Sequence, residues 1–96
     1  MRKYEIMFIA KANLEEAALK TLTAEIQKLV TNKTSKVIEF NDMGRKKLAY
    51  PINKELAGFY YLMNVEADAE TINEFDRKLR INENILRHLI LKKESE

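Results

Sequence analysis

Apolar and polar positions alternate through "KYEIMFIA" (3–10), with Tyr4, Ile6 and Phe8 on one side and Glu5, Met7 and Ile9 on the other. That period of two predicts a strand. Over 14–32 the period lengthens: Leu19, Leu22, Ile26, Leu29 and Val30 recur at steps of three and four. This is the stripe of an amphipathic helix, and Asn13 with Glu16 three residues on reads as its cap and capping box. "KVIEF" (36–40) opens a second strand running towards Lys47, in which Gly44 marks a bulge or bend. "LAYPINKELAG" (48–58) reads as a long turn region, because Pro51 brings no amide donor to a ladder. "GFYYLMNV" (58–65) is a third strand. Asp68 is placed to cap a second helix over 69–80, with Ile72, Phe75 and Leu79 as its stripe, and "ILRHLILK" (85–92) is the last strand.

The order β-α-β-β-α-β on 96 residues predicts an α+β chain with a ferredoxin-like split βαβ fold. It implies a single domain over 1–96: a four-stranded antiparallel sheet, two helices on one face, and the first and third strands in the middle. Two helices cover one face only, yet the strands are apolar on both parities. Met7 and Ile9 stand opposite Ile6 and Phe8. Leu89 and Leu91 stand opposite Leu86 and Ile90. Tyr60 and Leu62 stand opposite Tyr61 and Met63. The parity of the third strand stays open, since a bulge resets it. The surplus points to a second molecule on the open face, at Met7, Ile9, Tyr60, Leu62, Leu89 and Leu91. The alternative is a twisted sheet shielded by its own loops and lysine stems.

Composition narrows the class. Apolar residues make up 46 % and charged residues 33 %, as in a soluble globular domain. There is no cysteine, which excludes a disulfide framework and a Cys-ligated zinc site. The apolar run after Met1-Arg2-Lys3 carries Glu5 and is too short for a signal peptide, and no stretch is long enough to span a membrane. The net charge of +2 says little, but its distribution says more. Bases cluster at Arg2-Lys3, Arg45-Lys46-Lys47, Arg77-Lys78 with Arg80, and Lys92-Lys93, which suggests a polyanion partner.

Catalytic chemistry is hard to place. The one histidine, His88, lies in an apolar strand and reads as a packed polar residue, so neither metal nor cofactor is expected. With two glycines, Gly44 and Gly58, there is no phosphate-cradling loop, and "KANLEE" is not the anion-binding turn of an acylphosphatase-type enzyme. "GFYYLMNV" matches the RNP1 pattern of RNA-recognition motifs poorly, so bases stacked directly on this strand are not the expectation.

Three segments carry a resemblance. Arg2-x-Tyr4-Glu5 opens the chain, "GRKKLAYPINK" runs from Gly44 to Lys54, and "LRINENILR" runs from Leu79 to Arg87. Together they resemble the bacterial small-subunit ribosomal protein six family over essentially the whole length. The resemblance implies a non-enzymatic cytoplasmic role on the platform of the small subunit. It implies binding to the central domain of 16S rRNA together with small-subunit protein eighteen. The rRNA candidates it suggests are Arg2, Lys3, Arg45, Lys46, Lys47, Tyr50, Arg80, Arg87 and Lys92. They would neutralise phosphates more than read bases. On that reading the isolated chain is a monomer. The competing reading is a homo-oligomeric ligand-binding module whose open faces stack.

Overall fold

The computed structural model describes residues 2–52 and 54–93. Its elements run β1 (Arg2–Lys11), α1 (Glu16–Leu29), β2 (Lys36–Ile52), β3 (Glu55–Ala67), α2 (Ala69–Arg80) and β4 (Ile85–Lys93). All pairings are antiparallel and the strand order is β2-β3-β1-β4. The expected α+β, ferredoxin-like arrangement is therefore present, with β1 and β3 central.

The core lies between one sheet face and the two helices. Tyr4, Ile6, Phe8 and Ala10 of β1 alternate into it, as do Tyr61, Met63, Val65 and Ala67 of β3. Leu22 and Ile26 descend from α1, and Ile72, Phe75 and Leu79 from α2. Phe8 stacks on Tyr61 at 5.1 Å between ring centroids, and Phe40 of β2 tilts against the same ring at 5.5 Å. The open parity is thus settled: Tyr61 and Met63 face the helices, and Tyr60 and Leu62 face away.

Several expectations are corrected. The helix over 14–32 is shorter, and its N-cap is Glu15 without a side-chain capping bond, so the Asn13–Glu16 box does not form. The helix starts at Glu16 itself, and Leu14 beside Asn13 packs against the core. Asp68 does cap α2, its carboxylate accepting from the Thr71 amide at 2.7 Å. The long turn over 48–58 does not exist as such, because β2 runs on to Ile52 and β3 begins at Glu55. Pro51 is tolerated there because β2 is an edge strand. Leu86 also leaves the side of Ile90. A register shift opposite Ile9 and Ala10 brings it to the other face, beside Gly58.

Gly44 does mark an irregularity. It sits at a register shift with φ +83, and its amide donates to the Asp42 carboxylate at 2.8 Å. A second, wider shift matters more. Between the pairs Lys47–Ala57 and Ile52–Glu55, the stretch from Leu48 to Pro51 stands against Leu56 alone. The surplus backbone bows out as an arm and leans over the open face of the sheet.

Candidate functional site

Register alone orders the open face into cross-strand rows. At one end lie Lys36, Glu66, Lys3 and Lys93. Next come Glu39, Asn64, Glu5 and Leu91, then Asn41, Leu62, Met7 and Leu89. Beyond them lie Gly44, Tyr60, Ile9 and Arg87, and the far end has Lys46, Gly58 and Lys11. The face is therefore charged at the end where β1 begins, apolar across its middle rows, and basic again at the hairpin end.

The chain itself covers part of the apolar half. The arm brings Leu48, Tyr50 and Ile52 across Met7, Ile9, Tyr60 and Leu89, enclosing a cleft of about 430 Å³. Tyr50 reaches the far edge strand, where its hydroxyl accepts a hydrogen bond from the Arg87 guanidinium. The guanidinium carbon also lies 5.9 Å from the centre of the Tyr50 ring. On the nearer side, Lys46 Nζ stands 5.8 Å over the Tyr60 ring. Leu48 and Ile9 are buried by this arrangement, at 7 % and 5 % exposure. Ile9 is thus largely satisfied within the chain. Leu89 and Leu91 keep about half their surface, at 48 % and 49 %, while Met7, Tyr60 and Leu62 are partly covered. A loop shields one portion of this face, as the shielded-sheet reading expects, and an apolar ridge on β4 stays open.

The nine candidate basic and aromatic residues do not form one patch. Arg2, Lys3 and Lys92 lie where β1 begins and β4 ends. Arg45, Lys46, Lys47, Tyr50 and Arg87 gather at the opposite end, around the β2–β3 hairpin. The two groups are separated by most of the length of a ten-residue strand, roughly 30 Å. Arg80 lies at the C-terminus of α2, on the hairpin side of the molecule, but it is paired with Asp76. Asp76 also meets His88 Nε2 at 2.6 Å, which gives that histidine the packed structural role expected of it. Among the described residues Arg45, Lys46 and Lys47 are exposed and make no ion pair. Arg45 and Lys47 share the helix-side parity and Lys46 the open-face parity, so this run presents charge to both sides of the hairpin.

The arm is the feature the sequence reading missed. Its signal was the alternation of Leu48, Tyr50 and Ile52, which the interposed Pro51 obscured. Among the described residues no cluster of three or more His, Cys, Asp or Glu side chains could hold a metal ion. Among the described residues no helix is long and apolar enough to cross a membrane.

Comparison with known proteins agrees with this architecture. The family model described as Ribosomal protein S6 matches residues 3–92. Small ribosomal subunit protein bS6 of Halalkalibacterium halodurans is 48 % identical over 94 residues, covering 98 % of this chain and 99 % of that protein. The crystal structure of 30S ribosomal protein S6 from Thermotoga maritima is similar with a TM-score of 0.89 at 27 % identity. That likeness covers 96 % of this chain and 87 % of the other.

Proposed function

The chain belongs to the ribosomal protein S6 family, structural and non-enzymatic components of the small ribosomal subunit in the cytoplasm, and on that premise we propose that it binds the central domain of 16S rRNA together with small-subunit protein eighteen. The observation that carries the RNA half of this reading is the run Arg45-Lys46-Lys47, three exposed cations on a hairpin that make no ion pair among the described residues. Such charges exchange condensed counterions for direct phosphate contacts, and that exchange drives binding. Arg87 and Tyr50 extend the same end. The protein half rests on the ridge of Leu89 and Leu91, with Leu62 and Met7 in the row of Leu89 and Glu5 and Glu39 in the row of Leu91. Apolar surface bordered by carboxylates suits a small basic protein.

The test is filter binding of the chain to a central-domain rRNA fragment, with and without protein eighteen, across a salt series. Arg45→Ala combined with Lys46→Ala should weaken binding and flatten the log–log salt slope by about 1.4–1.8, the share of two phosphate contacts. Folding stability should move by no more than about 0.5 kcal/mol. Unchanged affinity and slope, or a collapse in melting temperature with affinity intact, would remove the hairpin from the RNA interface. Sedimentation at micromolar concentration separates the homo-oligomeric reading: this proposal expects a monomer, and a dimer would favour stacked open faces.

A further inference from the structure

The cleft beneath the arm has a lining of unusual character. Its floor is Met7, Ile9, Tyr60 and Leu89, and its outer wall is Tyr50 joined to Arg87. Arg87 in the lining stands against the Tyr50 ring, and Lys46, outside the lining on the adjoining strand, stands over the Tyr60 ring. Among the described residues no carboxylate lines it. Its volume of about 430 Å³ lies within the roughly 300–1,000 Å³ of ordinary small-ligand pockets. A flat, apolar body with an anionic end fits these walls: the body enters between aromatic and aliphatic surfaces, and the anion meets Arg87 and Lys46 at the mouth. A nucleotide has that form. Unpaired bases in RNA are commonly held by stacking on aromatic rings or on arginine planes.

We propose that this cleft receives the base of one unpaired RNA nucleotide, with Tyr50 and Arg87 as the movable wall and the phosphates carried by Arg87 and Lys46. Tyr50 is 57 % exposed and sits on the bowed segment from Leu48 to Pro51, which has only Leu56 opposite it. Parting it from Arg87 disturbs no residue of the helix-side core. The assignment rests on the rRNA reading above and adds a base contact to what were phosphate contacts alone. It places the two partners side by side on the open face, RNA at the arm and protein along the exposed ridge of β4, with Met7 and Leu89 on the border between them.

The experiment uses the full chain and two single-stranded RNA hexamers, one carrying a single adenine among abasic positions and one wholly abasic. Fluorescence anisotropy gives the affinities, and NMR follows the methyl signals of Met7, Ile9 and Leu89. The adenine-bearing hexamer should bind about tenfold tighter, as one stacked base contributes. It alone should shift the three methyl signals. Tyr50→Leu should abolish that preference, with the amide spectrum confirming an intact fold. Arg45→Ala should weaken both hexamers alike. Equal affinities with unmoved methyl signals would overturn the cleft assignment and leave the rRNA reading standing. Binding of neither hexamer at low salt would overturn both. Methyl shifts on adding protein eighteen, with none from either RNA, would assign the cleft to the protein and overturn the proposal.

Discussion

Tyr61 shows how one phenol is governed by its surroundings. It is 3 % exposed, against Phe8 and Phe40, and burial followed by the nearby Asp42 carboxylate pushes its pKa up to about 12. In the unfolded chain a tyrosine ionises near 10. The neutral ring therefore contributes fully to stability below about pH 10, and that contribution is lost as pH rises towards about 12. Urea melts at about pH 9 and about pH 11 should show a smaller loss for Tyr61→Phe than for the parent; equal losses would contradict the assignment. Gly58 is a second site where atoms set the rule. A Cβ there would overlap Ile9 Cγ2 and stand 3.0 Å from the Ala10 carbonyl oxygen, a β-branched side chain and a backbone atom that cannot swing aside. Gly58→Ala should cost about 1–3 kcal/mol by equilibrium denaturation. At this scale sequence was informative where chemistry is local. Asp68 announced a cap because its partner amide lies three residues on, and a lone histidine announced a packed one. Asn13 misled: the helix starts at Glu16 itself, and Leu14 beside Asn13 makes a tertiary contact with the core that local spacing does not show.

The elements follow from periodicity, and the errors fall where periodicity meets an edge. The α1 stripe survives intact, with Ile26 1 % exposed at its centre. Ile26→Ala removes packed volume from between helix and sheet and should lower stability by roughly 2–5 kcal/mol, read from urea melts. The strand order was legible because two crossovers on so short a chain leave few alternatives. The span of β2 was not. An edge strand accepts a proline and a four-residue bow that a central strand would reject, so "LAYPI" carries the signs of a turn while continuing a strand. The face assignment of Leu86 was hidden for a similar reason. A register shift is fixed by how two strands meet, and neither strand contains that information alone.

Across the whole molecule, the two ends of the sheet differ more than its two faces. One end is a row of lysines and glutamate, the other an aromatic cleft ringed by cations, and no composition statistic separates them because the net charge is only +2. The candidate residues were legible as types; their division into two distant groups needed the register. The two edges differ as well. β2 is broken by three register shifts and Pro51, whereas β4 pairs with β1 without interruption from Arg87 to Lys93. Its outer border therefore offers an unbroken row of amides and carbonyls behind the apolar run from Leu89 to Leu91, and Lys92 and Lys93 stand at its end. A straight apolar border can template copies of itself, and positive charge at its tip opposes that stacking. Replacing both lysines with valine should shorten the lag before thioflavin fluorescence rises in a shaken sample, and an unchanged lag would mean that the ribosome's own protein keeps out of amyloid by some other device.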